Sequence, residues 1–279
     1  MAGTAVVLLT APFDPAGTGV SRQPRTASLQ VASATFALVA AAFAVELHGG
    51  QVGALGRALA SAGAHAGFLG LGWVVAGEAR PGWRGPVLRL AVILSVASVS
   101  SRVSPWGASS YLAVPLALLA EARRRPELRM MGLGWPRPLA CALGLGAGVF
   151  LGVHLLIAAS LTFGYAVRIQ SASDYLAAVA YDVGASALTA EWLFRGALFS
   201  LWWRRWAFWP AASLSTACAL ARYLLDPNLP HALEARLGAA FYVGLLGLSA
   251  CALRAWSGSL LPGYLATVAF FLAYRMLGQ

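Results

Sequence analysis

The sequence predicts an all-α protein, a polytopic membrane helix bundle of about nine transmembrane helices with its N-terminus inside. Three observations predict it. Of 279 residues, 59% are hydrophobic and 11% charged, where a soluble domain carries roughly 25% charged residues. Too few polar side chains remain to cover a water-facing surface of ordinary size, and the mean hydropathy is +0.70. Apolar runs of about 17–25 residues recur along the chain, the length needed to cross a bilayer. The arginines fall mostly between those runs, on alternating sides. Disorder, a disulfide scaffold and a soluble enzyme are excluded at this level.

The elements follow in order. Residues 1–27 form a polar tail containing Pro12, Pro15 and Pro24. The apolar stretch Ala5–Ala11 is short and lacks a positive segment before it, so it makes a poor signal peptide. Nine apolar runs follow, at about 28–46, 54–77, 86–103, 106–121, 138–161, 176–203, 206–225, 237–253 and 259–277. The chain thus divides into the tail, N-terminal transmembrane helices over 28–162, and a helical core over 175–277. The second run is diluted by Arg57 and glycines. The sixth exceeds one upright span, so it either projects from the membrane or tilts.

All twenty basic residues are arginine, and the net charge is +10. The charge is not gathered on one amphipathic face, which excludes a nucleic-acid partner. With the N-terminus inside, twelve arginines lie in inner loops, among them Arg123, Arg124, Arg125, Arg137, Arg204, Arg205 and Arg254. Four lie outside: Arg102, Arg168, Arg236 and Arg275. That asymmetry sets the orientation. Trp202, Trp203, Trp206 and Trp209 bracket Arg204 and Arg205 as an aromatic belt at the inner interface. The spacings Gly63–Gly67 and Gly144–Gly148 signal close helix packing, either within the chain or as a dimer face. Cys141, Cys218 and Cys251 sit in apolar runs and read as small core residues.

Ionisable residues inside a membrane are costly and default to functional candidates. His65 and His154 are isolated in apolar helices and read as hydrogen-bonded packing residues. Arg57 and Arg89 lie near span ends, where snorkelling accounts for them. One segment stands apart, Leu188-Thr-Ala-Glu191-Trp-Leu-Phe-Arg195-Gly196. Glu191 and Arg195 are spaced i, i+4 with the acid first, the favoured order for a helical ion pair. On spacing alone, a self-neutralising pair that lets both charges enter the bilayer outweighs catalysis.

Glu191-Trp-Leu-Phe-Arg195-Gly196 resembles the first motif of the CPBP family, the CAAX-protease and bacteriocin-processing-like glutamic intramembrane proteases, which reads Glu-Glu-x-x-x-Arg. Thr216-Ala-Cys218-Ala-Leu-Ala-Arg222 occupies the place of the second motif, Phe-x-x-x-His. Ser257-Gly-Ser-Leu-Leu-Pro-Gly-Tyr-Leu-Ala-Thr267 resembles the last motif helix. The resemblance implies a membrane endopeptidase fold in a bacterial inner membrane. It also exposes departures. The first glutamate of the pair, the family's catalytic carboxylate, is Ala190 here. The two histidines are Arg222 and Thr267, and the asparagine is Phe271. Glu191 and Arg195 are retained. An arginine stays protonated and cannot serve as a general base in place of histidine.

Ala190, Arg222 and Thr267 lie about 21, 25 and 20 Å from the inner arginines at the α-helical rise per residue. They share one level in the outer half of the bilayer, where Arg222 requires an acid partner, Glu191 or Asp182. No catalytic residue is assigned with confidence, and no cofactor or metal ligand set is expected. The preferred reading is a non-catalytic homologue. Its partners are the lipid bilayer and either an active CPBP protease or a membrane-anchored substrate, as the resemblance implies for site-less companions in myxosortase-type sorting systems. The alternatives are an active intramembrane endopeptidase with a displaced site, pairing Glu191 with His154 or His231, and a transporter.

Overall fold

The computed structural model describes residues 34, 37, 44, 54–75, 84–124, 128, 131–168, 171–224 and 233–277. The polar tail over 1–27, most of the apolar run at 28–46, and His231 lie outside the described residues. The described residues form eight helices and no strand, with one isolated antiparallel bridge between Val167 and Leu277. The helices are α1 (Ala54–Val75), α2 (Arg84–Val103), α3 (Ala113–Arg124), α4 (Pro138–Phe163), a composite helix α5 over 172–203, α6 (Phe208–Leu224), α7 (Leu233–Ser257) and α8 (Leu261–Tyr274).

Four stretches are long and apolar enough to cross a membrane: Gly56–Val75, Gly85–Val103, Pro138–Phe163 and Arg236–Ser257. The expected nine spans are therefore not reached among the described residues. The run at 106–121 is not one α-helix. It opens as a 3₁₀ helix, Pro105–Leu112, capped by Ser104, whose hydroxyl accepts from the Trp106 amide. Pro105 at its start and Pro115 in the first turn of α3 withhold amide donors, which explains the break. The last run shrinks to the 14 residues of α8. Gly258, in a left-handed conformation at φ 72°, delays the helix start, and Pro262 sits in its first turn.

The chain divides into two compact units. The first comprises residues 20–128 and 169–193. Here α1 packs on α2, and the Ser98 hydroxyl donates to the Ala58 carbonyl at 2.7 Å. Leu69, Trp73, Leu90, Leu94 and Leu118 are among its most buried side chains. Arg89 forms an ion pair with Glu121 of α3. The Arg89 side chain stays 57% exposed, as snorkelling requires, with a carboxylate one helix away as its partner. Trp192 of α5 donates its indole N–H to the Leu69 carbonyl at 2.9 Å. Gly72 leaves room for that indole, since a Cβ there would stand 2.6 Å from Nε1.

The second unit comprises residues 1–19, 129–168 and 194–279. Its principal seam joins α4 to α8. A Cβ on Gly144 would collide with the Pro262 carbonyl, one on Gly148 with the Ala266 carbonyl, and one on Gly152 with the Ala273 methyl. The glycine spacing on α4 therefore seats a helix of the same chain, which decides between the two uses of Gly144–Gly148 left open by the sequence. Leu151, Tyr242, Leu246, Ala266 and Phe270 form one core cluster. Phe199, Trp203, Phe208, Ala211, Ala212 and Cys251 form another, closing the α5–α6 turn on α7. None of the three cysteines is in a disulfide.

Candidate functional site

The motif helix α5 is not uniformly α-helical. Its α segments Ala172–Tyr181, Ala187–Ala190 and Ser200–Trp203 alternate with π-helical segments Asp182–Ser186 and Glu191–Phe199. The junction residues keep right-handed helical dihedrals, for example φ −62°, ψ −43° at Asp182 and φ −64°, ψ −40° at Glu191. One unbroken helix results, with two widened stretches. π-helical turns are rare and concentrate at functional sites. The first opens at Asp182 and the second at Glu191, both carboxylates and both 3% exposed.

Widening rotates the backbone hydrogen bonds and needs neighbours to take them up. The Ser215 hydroxyl of α6 does so, donating to the Phe194 carbonyl at 2.7 Å. The Ser200 hydroxyl reaches the Arg195 carbonyl at 3.4 Å. In the first π segment, Gly184 meets the Tyr111 backbone so closely that a Cβ would clash with its carbonyl.

In the second unit, Arg195 is buried at 4% exposure. Its guanidinium lies against Gly247 of α7 and close to Thr216, the first residue of the second motif. A Cβ on Gly247 would stand 2.5 Å from an Arg195 terminal nitrogen and 2.7 and 2.9 Å from the Thr216 methyl and hydroxyl. Thr216 is itself buried, and its hydroxyl oxygen has no hydrogen-bond partner among the described residues. The retained arginine is therefore packed in a close-fitting recess of small side chains. Thr267 on α8 is buried, while Arg222 on α6 and Phe271 on α8 are half-buried. Phe271 continues a run of rings, with Phe270 at 6.0 Å and Tyr274 at 6.3 Å between centroids.

In the first unit, Ala190 is half-buried and Glu191 buried. Just before Glu191 on the chain, at Thr189, stands a network that the sequence did not reveal. His65 Nδ1 lies 2.9 Å from the Thr189 hydroxyl, and its Nε2 lies 2.9 Å from the Tyr181 hydroxyl. Thr189 donates to the Ala185 carbonyl at 2.8 Å, so toward His65 it accepts. That assigns the proton to Nδ1 and makes Tyr181 the donor to Nε2. Thr189 and Glu191 are two residues apart, about 200° around a helix of 3.6 residues per turn. The His65 network and Glu191 hence occupy different faces of α5.

His154 of α4 is engaged by the Tyr242 hydroxyl at 2.7 Å, as a packing histidine is. The residues missed by sequence reasoning are Ser215, Thr216 and Gly247 around Arg195, and Tyr181 and Thr189 around His65. The available signal was small polar residues in otherwise apolar helices. Among the described residues, no three His, Cys, Asp or Glu side chains gather as metal ligands.

Residues 172–271 match the family model described as type II CAAX prenyl endopeptidase Rce1-like. Over that segment, about a third of the chain, the protein is similar to the CAAX prenyl endopeptidases of the CPBP type. With its apolar helices it is a multi-pass membrane protein. No curated protein and no solved structure matches the chain.

Proposed function

We propose that this protein is a non-proteolytic member of the CPBP type, acting as a partner or substrate-presenting subunit in the processing or sorting of membrane proteins. One observation carries the reading. The motif's packing residue, Arg195, keeps a fitted recess of Gly247 and Thr216, while the positions aligned with the family's acid and bases hold Ala190, Arg222, Thr267 and Phe271. An alanine has no proton to give or take. An arginine holds its proton across the working range of proteins. The helical frame has been kept and its acid–base set replaced. The engagement of His154 by Tyr242 also speaks against the displaced-site alternative that pairs it with Glu191.

The test uses the full chain in proteoliposomes with a prenylated CAAX peptide. The unmodified protein leaves the peptide intact, and Arg222→His alone does too, because position 190 still lacks a carboxylate. Cross-linking in native membranes then captures an active CPBP protease or its membrane-anchored substrate. Cleavage by the unmodified protein that disappears in Glu191→Ala would instead establish an endopeptidase with a displaced site.

A further inference from the structure

The second unit has two ends with four described arginines each, and its described carboxylate lies at only one of them. At one end α4 and α8 begin, α7 finishes, and the α5–α6 turn lies. This end is tied together by the Ser259 hydroxyl, which donates to the Gly134 carbonyl at 2.9 Å, and by the Leu260 amide, which donates to the Gly132 carbonyl at 2.8 Å. It carries Arg137, Arg204, Arg205 and Arg254. Among the described residues of the unit the one carboxylate is Glu234. It stands twenty residues before Arg254 on α7, roughly 30 Å away at 1.5 Å per residue. The end that carries Arg204 and Arg205 therefore has no described acid.

Two of the four arginines are held close together. The cluster of Phe199, Trp203, Phe208 and Cys251, with Ala252 and Ala255 packed against it, presses the end of α5 onto the end of α7. Arg204 follows Trp203 directly, at the end of α5 that this cluster packs against the last turns of α7, where Arg254 lies. Arg254 is buried, its guanidinium close against Gly132, where a Cβ would stand 2.8 Å from its Nε. Gly132 adopts φ 97°, a conformation open mainly to glycine. Arg204 has a buried Nε with no hydrogen-bond partner among the described residues. Arg205 beside it is exposed. Like charges gathered at one end without a described acid favour an anion over them. Around them, the Trp202 and Trp206 rings stack at 6.3 Å, and Trp206 and Trp209 are exposed. Exposed tryptophans of this kind settle at the headgroup level of a bilayer.

We propose that Arg204 and Arg205, backed by the buried Arg254, bind the phosphate group of an anionic phospholipid headgroup, with the Trp202–Trp206 stack setting the depth at which the lipid is held. Arg204 and Arg205 supply donors to the phosphate oxygens, a pairing that guanidinium geometry favours. Arg254 adds positive potential from beneath without leaving its seat.

The full-length protein is reconstituted in nanodiscs of phosphatidylcholine with a graded fraction of phosphatidylglycerol, and its melting temperature is followed. Phosphatidylglycerol raises the melting temperature of the unmodified protein in a saturable way. Arg204→Gln and Arg205→Gln each weaken the half-saturating lipid fraction about fivefold, the contribution of one basic residue at an anionic surface. Inorganic phosphate in pure phosphatidylcholine discs gives little protection. Arg168→Gln, which removes the same charge from the other end of the unit, leaves the titration unchanged. Three outcomes overturn the proposal: equal protection by both lipids, equal weakening by Arg168→Gln, or protection by inorganic phosphate alone. Should Arg254→Gln fail to fold, the exposed Arg205→Gln still decides the matter.

Discussion

At Gly247 a missing methyl group decides where a charge can sit. The Arg195 guanidinium and the Thr216 side chain both occupy the volume a Cβ would claim. Gly247→Ala therefore forces a buried arginine out of its recess, and a loss of about 1–3 kcal/mol is expected from overpacking, read as a fall in melting temperature in detergent. Gly244, one turn away on the same helix with open space around it, tolerates alanine. At His65 the matter is hydrogen bonding. A double-mutant cycle on His65→Ala and Thr189→Ala should give a coupling of about 0.6 kcal/mol, and no more than about 1.7, the range found for polar pairs within membranes. A coupling of zero would remove the assigned donor order. These contacts were hidden in the sequence for a physical reason. His65 and Thr189 are 124 residues apart, and nothing in the local pattern of either helix specifies the partner. The partner of Arg89 was hidden in the same way, because its acid, Glu121, belongs to another helix.

For the helices themselves, length and apolar content were legible and internal geometry was not. The runs at 54–77, 86–103, 138–161 and 237–253 correspond to α1, α2, α4 and α7 within a few residues. The motif around Glu191 was legible too, as residue types at a spacing. Its π-helical form was not, since an i, i+4 acid–base pair reads as an ordinary α-turn. The widening depends on a hydroxyl from α6 and on close approach to Tyr111, and both are tertiary. The α4–α8 seam yields a sharp prediction. Gly148→Ala drives a methyl into the Ala266 backbone and should destabilise the protein by about 1–3 kcal/mol. Gly146→Ala, two residues away with open space around it, should be neutral or stabilising by up to about 1 kcal/mol, the helix preference of alanine over glycine. Thermal melts of the two variants compare them directly; equal losses would mean that helix propensity, not the seam, governs this face.

For the whole molecule, the arginine asymmetry predicts a topology that accessibility labelling can test. In a cysteine-free background, a cysteine at position 137 or 205 should be shielded from an impermeant thiol reagent in intact cells. One at position 168 or 275 should react. Labelling of 137 from outside would invert the orientation. The residue types at Ala190 and Arg222 were legible from the sequence alone, and alanine and arginine lack acid–base chemistry near neutral pH wherever they are placed. Which lipid, substrate or companion the frame serves was not legible, since that depends on surfaces assembled from distant helices, as at Arg204 and Arg254.

The glycine seam has a consequence in time. Gly144 leaves the ribosome 118 residues before Pro262, which seals against it. At 5–20 residues per second, that is an interval of about 6–24 s. Throughout it, the groove on α4 faces lipid or a chaperoning surface of the insertion machinery, and α8 is only 14 residues long. So short a helix gains its membrane position by docking into a slot made earlier. The seam therefore closes only once α8 has been made, and a ribosome stalled before residue 261 holds a chain whose slot is still open.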